Sequence, residues 1–225
     1  MSGRALFILL AIPLMIHPVS IAQQSKMPST ALCAVCAVRE NNARPEKVVA
    51  VREYEGKTYY FCSKDCAREF EAAPAAYLPS ILPRPAPAFV VESLNGRSVS
   101  SEAYRGKVIL LGFWSISCKP CQKTMLKLQP LHDEFSDHQF AVIWISIDRD
   151  ADIKEKVNKF IYKNHLSYPV LLDTRAEPAA TTYMVKAIPS LFLIDRGNNI
   201  VQEWRGKVTI DSVKTAATGL LLRYE

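Results

Sequence analysis

A pair of cysteines separated by two residues has the clearest chemistry in this sequence. Cys118 and Cys121 bracket Lys119 and Pro120, and an apolar run, Val108–Trp114, precedes them. The run predicts a buried strand, and apolar residues at spacings of three and four then predict a helix. The free N–H groups and the dipole of a helix start favour a thiolate over a thiol. We therefore predict a dithiol redox site in which Cys118 is the nucleophile and Cys121 resolves it, alternating with a Cys118–Cys121 disulfide.

Two other kinds of site use cysteines in similar patterns. C-x-x-C supplies half of many zinc sites, but a zinc knuckle needs neither the preceding strand nor the proline in the loop. A peroxidase that uses a lone cysteine is disfavoured, because Cys121 would resolve any mixed disulfide within the chain. The β-α context of the motif therefore favours redox chemistry.

Four further cysteines occur as two pairs near the start of the chain: Cys33, Cys36, Cys62 and Cys66. Four thiolates suit zinc or copper(I). Two structural disulfides are the alternative, which an oxidising compartment would favour. A unit of roughly fifty residues with few large apolar side chains needs a metal or crosslinks to hold it. We predict that the four cysteines bind one metal ion in common.

Short elements are expected to bring these four sulfurs together. Lys47–Arg52 and Thr58–Phe61 predict two strands joined by a turn at 54–57, and Ser63 can cap a helix over Lys64–Glu71. The first cysteine pair is then expected on a loop. The second pair is expected to span the end of a strand and the start of a helix.

Five prolines between residues 74 and 87 divide the chain. Such a run is typical of a stiff, extended spacer. The predicted organisation is therefore a metal-binding module at 30–78, a proline-rich linker at 79–87 and a second domain at 88–225.

Strands and helices alternate through the second domain. The predicted elements are a hairpin (Phe89–Ser93 and Ser98–Ser100), four further strands (Phe140–Ile147, Tyr168–Leu172, Ser190–Asp195 and Ile200–Trp204), and three helices besides the one after Cys121 (Asp152–Lys163, Glu177–Met184 and one capped by Thr209). Pro130 is expected to kink the helix that contains it. The predicted fold class is α/β, a central sheet flanked by helices with an N-terminal β-hairpin extension, preceded by a small Cys-rich α+β module.

Residues 1–22 have the pattern of an export signal. Arg4 supplies the positive charge, and the apolar stretch Ala5–Ile16 is too short to span a bilayer comfortably. Small residues at Ser20 and Ala22 predict cleavage after Ala22; an uncleaved membrane anchor is the alternative. The mature part is expected to be exported and periplasmic, where disulfides persist.

The net charge of the chain is +6, with a pI near 9.0. The basic residues are scattered, and no basic patch is interleaved with aromatic residues. The composition therefore argues against a nucleic-acid partner.

Residues 87–206 resemble the thioredoxin-like proteins of the TlpA/ResA type, relatives of the peroxiredoxin superfamily. The resemblance is carried by these stretches: 87–89, Asn95-Gly96, Tyr104–Lys107, Phe113-Trp114, Cys118–Cys121, Tyr168–Asp173 and Ala187–Asp195. It implies a thioredoxin-like fold and a thiol-disulfide oxidoreductase. It also implies a cis peptide before Pro189, which would border the substrate groove. Backbone near Ile188 would pair with an extended substrate segment, and Trp114 would support the site.

The chain departs from its relatives at several positions. Ser117 precedes the first active cysteine where many relatives carry Trp. Gly112 stands where thioredoxin has a buried Asp, so the proton handling of thioredoxin does not carry over. Leu111 stands where the peroxiredoxin motif has Pro, which argues against a peroxiredoxin. A Sco-like copper chaperone would need three residues between the cysteines and a distal His, but only two residues separate Cys118 from Cys121.

Residues 33–78 resemble a YHS-type (TRASH-like) metal-binding module. The resemblance is carried by these positions: Cys33, Cys36, Glu55–Ser63, Cys66, Phe70 and Pro74–Leu78. It implies a metal site at the four cysteines, with zinc or copper(I) as the ion.

Two functions are consistent with these features. The first is a reductase of disulfides in exported proteins, such as apocytochromes c or copper-site proteins. The resemblance implies that a membrane electron donor of the DsbD/CcdA type supplies its electrons. The second is a copper or heavy-metal carrier whose thioredoxin-like domain keeps the metal-binding thiols reduced.

Overall fold

The computed structural model describes residues 27–40, 44–135, 139–176, 178–206 and 208–224. The predicted signal, residues 1–22, lies outside these ranges, as does Glu177 at the start of a predicted helix. None of the helices in the described ranges is long and apolar enough to cross a membrane.

The first part of the chain forms a small module of two antiparallel strand pairs and two helices. Its elements are β1 (Thr30–Ala31), α1 (Ala34–Arg39), β2 (Glu46–Lys47), β3 (Ala50–Tyr54), β4 (Lys57–Phe61) and α2 (Lys64–Ala72). β1 pairs with β2, and β3 pairs with β4. The single strand expected over Lys47–Arg52 is therefore divided between two ladders.

Phe70 is the centre of the module core. Its ring lies 5.0–6.4 Å, centroid to centroid, from four other aromatic rings, those of Tyr54, Tyr59, Phe61 and Tyr77. Burying such a side chain stabilises a fold by about 1.5–3 kcal/mol. The prediction that Ser63 caps α2 is confirmed, because its Oγ accepts a hydrogen bond from the Cys66 N–H at 3.1 Å.

The rest of the chain builds an eight-stranded mixed sheet with helices on its faces. Its elements are β5 (Arg84–Pro85), β6 (Val90–Ser93), β7 (Ser98–Ser100), β8 (Val108–Trp114), α3 (Lys119–Phe135), β9 (Phe140–Ser146), α4 (Ile153–Asn164), β10 (Val170–Leu172), α5 (Ala179–Thr182), β11 (Ser190–Ile194), β12 (Asn199–Arg205) and α6 (Ile210–Leu221). The strand order is β5-β12-β11-β8-β9-β10-β6-β7. Only the central pairs β8–β9 and β9–β10 are parallel.

The sheet has a hydrophobic core on each face, because side chains alternate along its strands. Trp114 and Trp144 belong to the core covered by α3, α4 and α6. Phe113 and Phe192 belong to the opposite core, which includes Tyr183. Every residue of β8 and β9 is buried, as expected for strands covered on both faces.

Gly112 leaves room for the indole of Trp144. A Cβ atom added at Gly112 would lie 2.5–2.8 Å from three ring carbons of Trp144. The position that holds a buried Asp in thioredoxin is therefore filled here by a neighbouring ring, and no side chain fits there.

Several predicted elements differ in the structure. Arg84–Pro85, expected in the spacer, pairs with β12 and begins the sheet. α5 is only four residues long. Pro130 lies within α3, and the kink expected there stays a prediction. Thr209 lies at the N-cap of α6, but its side chain does not make the capping hydrogen bond that was expected. The Arg84–Pro85 strand forms because β12 supplies its pairing partners, which local patterns do not reveal.

The module packs against the segment that leads to Pro189. Met184 contacts the module core, and the Lys186 ammonium lies 5.8 Å from the centroid of the Tyr77 ring. The Arg205 guanidinium donates hydrogen bonds to the Ala76 carbonyl at 2.8 Å and to Ser80 Oγ at 3.0 Å. The two parts of the chain thus share a junction of specific contacts.

Candidate functional site

Cys118 and Cys121 form a disulfide at the start of α3. Their sulfurs are 2.06 Å apart and their Cα atoms 5.2 Å apart. Cys118 immediately precedes the helix, and the N–H of Cys121 points to Cys118 Sγ at 3.2 Å. Cys118 is half-buried, whereas Cys121 is fully buried. A reacting partner can therefore reach Cys118 but not Cys121.

The Ile188–Pro189 peptide lies beside the disulfide and is cis, which confirms the expectation drawn from the resemblance. Cys118 Sγ is 4.0 Å from the Ile188 carbonyl oxygen. Ser190 pairs with Phe113 near the end of β8, and the Gly206 N–H donates to the Pro189 carbonyl at 2.9 Å. Pairing of β11 with both neighbours thus holds this turn against the cysteine loop.

Trp114 lies in the hydrophobic core that also contains Cys121. Its side chain is fully buried, and its ring lies 5.3 Å from that of Phe160. Its Nε1 has no hydrogen-bond partner among the described residues. The side chain packs in the same core as Cys121, which agrees with the expectation that Trp114 supports the site, while a part for Trp114 in substrate binding stays a prediction.

Asp148 fixes the loop that leads to Cys118, a role that the sequence analysis missed. One carboxylate oxygen accepts a hydrogen bond from Ser115 Oγ at 2.7 Å. The other accepts from the Ile116 N–H at 2.8 Å and from Ser146 Oγ at 2.7 Å. Ser115 in turn holds Cys118, whose N–H donates to the Ser115 carbonyl at 3.0 Å. The ends of β8 and β9 are thereby joined under the reactive cysteine.

The other four cysteines lie at the start of the two module helices. Cys33 immediately precedes α1 and Cys36 lies in its first turn, so the first pair is not on a loop as expected. Cys62 precedes Ser63, and Cys66 lies in the first turn of α2. The hairpin β3–β4 positions the second pair, and Cys33 bridges to Tyr60 of β4.

Their geometry fits a tetrahedral metal ion. All four sulfurs lie within 4.8 Å of one another, and the distances among Cys36, Cys62 and Cys66 are 3.5, 3.8 and 3.9 Å. Four ligands about 2.3 Å from a tetrahedral zinc ion would be about 3.8 Å apart. In the described part of the chain, no other group of three or more His, Cys, Asp or Glu side chains is so placed.

The pKa values of three of the four thiols are shifted, and in different directions. Burial raises the pKa of Cys33, but N–H groups of Cys36 and Cys62 donate to its sulfur, and the net effect lowers this pKa. Burial and the neighbouring sulfurs raise the pKa of Cys36. Burial, opposed in part by Cys36, raises the pKa of Cys62 to about 12. Cys33 therefore ionises more readily than Cys36 and Cys62, and these two thiols must lose protons to ligate a metal.

Two family models match the chain. The AhpC/TSA family matches residues 82–203, which include the disulfide and Pro189. The YHS domain matches residues 41–80. The second match contains Cys62 and Cys66, while Cys33 and Cys36 precede it.

Several proteins whose names describe thiol-disulfide exchange are similar to this chain. The thiol-disulfide oxidoreductase ResA of Bacillus thuringiensis subsp. konkukian is 33% identical over 129 residues, 57% of this chain and 72% of the relative. The thioredoxin domain of a thiol-disulfide oxidoreductase from Bacteroides vulgatus is 26% identical, with a TM-score of 0.52 over 61% of this chain and 99% of that one. A thiol:disulfide interchange protein from Bacteroides sp. shares the fold, at 23% identity and a TM-score of 0.55 over 63% and 91%.

The fold, the disulfide and these similarities agree. The sheet and its helices have the thioredoxin-like architecture expected from the sequence, and a small Cys-rich module precedes them. The chain consists of a YHS domain followed by a thioredoxin-like fold; it belongs to the AhpC/TSA family and is a thiol-disulfide oxidoreductase related to ResA.

Proposed function

We propose that this oxidoreductase works as a reductase of disulfides in exported proteins. The observation that carries the proposal is the unequal exposure of the two active cysteines. Cys118 is accessible at the start of α3, and Cys121 is buried one turn on. A helix start favours the thiolate of Cys118, and the buried partner is protected from outside reactants until it is needed.

The reaction transfers two electrons to the partner. The Cys118 thiolate attacks one sulfur of the partner disulfide, so a mixed disulfide forms and one partner thiolate leaves. Cys121 then loses its proton and attacks Cys118 Sγ. The Cys118–Cys121 disulfide forms and the second partner thiolate leaves. Asp148 holds the loop during these steps, and the Ile188 backbone and Pro189 border the site of attack.

The location and the partners complete this proposal. The signal pattern in residues 1–22 supports export to the periplasm, with retention at the membrane if the signal is not cleaved. Substrates there are disulfides of proteins such as apocytochromes c or copper-site proteins. A membrane donor of the DsbD/CcdA type would return the two electrons, because an exported dithiol needs a source of reductant.

Trapping of mixed disulfides tests the assignment. A Cys121→Ser variant should accumulate protein partners linked through Cys118, because the resolving thiol is missing. A Cys118→Ser variant is the matched control and should trap none. Trapped partners that are exported proteins containing cysteine would support the proposal. Equal trapping by both variants, or by Cys118→Ser alone, would contradict the roles given to the two cysteines.

We also propose that Cys33, Cys36, Cys62 and Cys66 hold one zinc or copper(I) ion. The distances among their sulfurs support this, and soft thiolates suit both ions. A metal carrier is then the second candidate function, in which the redox domain keeps the four thiols reduced. What favours it is the partial exposure of Cys62, which leaves one ligand of the cluster accessible to a partner.

Two measurements on the full chain separate these functions. Elemental analysis of protein purified without added metal, set beside a count of free thiols, should give one ion per chain. Two disulfides among the four cysteines, with no metal bound by the reduced protein either, would exclude the metal site. Turnover of a protein disulfide by a Cys62→Ser/Cys66→Ser variant should persist if the reductase is the main function.

A further inference from the structure

A groove runs between the start of α3 and the start of α6, and one of its ends borders the loop of the active disulfide. It has a volume of about 230 Å³. Pro120, from the loop between the two cysteines, and the cis residue Pro189 form one end. Lys123 and Lys127 line the side that belongs to α3, and none of the described lining residues is acidic. A partner segment that extends from Cys118 into this groove would therefore run along the side that carries these two lysines.

These lysines belong to a stripe on α3. Lys119, Lys123 and Lys127 follow one another at intervals of four residues, so they share one side of the helix, and all three are exposed. None of them takes part in the ion pairs found among the described residues. Their charges are therefore available to a partner.

The stripe does not stabilise the helix that carries it. Cations near a helix start oppose the dipole, and like charges four residues apart repel each other. The first turn of α3 has no acidic residue to compensate. Lys119 thus opposes the helix dipole, and the successive lysines repel one another on the helix that carries the active disulfide.

We propose that this lysine-lined groove binds an extended acidic segment next to the reactive cysteine of the partner. The inference rests on the proposed reductase function and names the class of substrate. Carboxylates of the segment would meet Lys123 and Lys127 while its cysteine meets Cys118. Such complementarity acts mainly on the rate of encounter and on the choice of partner.

The test compares three peptides that carry the same disulfide. They differ only in the residues beside the cysteine, which are glutamates, lysines or glutamines, and the reduced full-length chain is mixed with each. We expect the acidic peptide to be reduced about tenfold faster than the basic one at low salt. The ratio should shrink as salt screens the charges. Reduction of the neutral peptide tests the reductase function separately from the groove.

Charge reversal assigns the effect to the groove. A Lys123→Glu/Lys127→Glu variant should lose the preference for the acidic peptide or reverse it. The matched control is Lys159→Glu/Lys163→Glu, an exposed pair with the same spacing on α4 that does not line the groove. It has the same net charge change and should keep most of the preference.

Three outcomes would overturn the proposal. The first is equal reduction of the acidic and basic peptides by the wild-type chain. The second is an equal loss of preference in both charge-reversal variants, which would show an effect of net charge alone. The third is an unchanged preference in Lys123→Glu/Lys127→Glu together with lost binding to phosphatidylglycerol vesicles, which would assign these lysines to a lipid surface.

Discussion

Arg205 and Ala76 are joined by a hydrogen bond of 2.8 Å from the guanidinium to the backbone carbonyl. Arg205 is the last residue of β12 and pairs with Ser190, the residue after Pro189. Its guanidinium also forms an ion pair with Glu203 at 3.0 Å, and only about an eighth of each side chain is exposed, 13% and 12%. The YHS module is thus tied to the strand next to the redox site.

Replacing Arg205 should loosen this junction. In Arg205→Ala, the Ala76 carbonyl and Ser80 Oγ lose a charged donor, and Glu203 loses one of its two arginine partners. We expect the free energy of unfolding to fall by about 2 kcal/mol, a typical value for partly buried hydrogen bonds to a charged group. Urea denaturation followed by aromatic fluorescence measures this. Arg105→Ala, which removes an exposed ion pair with Glu102, is the control and should change little.

A side chain at position 112 should be poorly tolerated. Gly112→Ala places a Cβ atom 2.5 Å from the Trp144 ring, and overpacking of this kind costs about 1–3 kcal/mol. Thermal or urea unfolding gives the difference. Gly219→Ala is the matched control, because a Cβ there meets no atom within 4 Å and a helical Ala is favoured over Gly by about 0.5–1 kcal/mol. Equal stability of the two variants would contradict the packing argument.

Removing the Asp148 carboxylate should change both stability and reactivity. Asp148→Ala leaves the Ser115 and Ser146 hydroxyls and the Ile116 N–H without their acceptor. Each buried polar group left unpaired costs about 1–3 kcal/mol, so the free energy of unfolding should fall by at least about 2 kcal/mol. The pH profile of Cys118 alkylation should shift as its loop loosens. Asp148→Asn keeps an acceptor and should retain more of both properties; a profile unchanged in Asp148→Ala would exclude the positioning role.

Metal affinity at the four cysteines should rise steeply with pH. The raised pKa values of Cys36 and Cys62 keep both thiols protonated at neutral pH. Binding must therefore release at least two protons, and apparent affinity should fall by a factor of at least about 100 for each pH unit of acidification. Competition with a chelator at two pH values near neutrality, corrected for the chelator's own protons, measures this. An affinity independent of pH would show that these two thiols are not ligands.

Local patterns were enough to predict the elements that carry the active disulfide. The apolar run Val108–Trp114 is a strand with those bounds, and the helix begins one residue after Cys118. Ser63 and the hairpin before it were also predictable, because capping and turns depend on neighbouring residues.

Contacts between distant residues were not predictable in this way. The Arg84–Pro85 strand exists only because β12 lies beside it, and the Arg205–Ala76 hydrogen bond joins residues 129 positions apart. The role of Asp148 had a usable signal. It follows a buried strand next to β8, and the carboxyl ends of parallel strands meet at one edge of a sheet.

Both outer strands of the eight-stranded sheet are very short. β5 has two residues, one of them Pro85, and β7 has three, Ser98–Ser100. Proline has no N–H to donate, and short edges offer few free backbone groups to a strand from another molecule. β5 covers only Asn199 and Ile200 of the longer β12, but the two outermost strands themselves give an incoming strand few backbone groups to pair with. The proline-rich segment thus supplies one edge of the sheet with a strand that is poorly suited to pairing with another molecule.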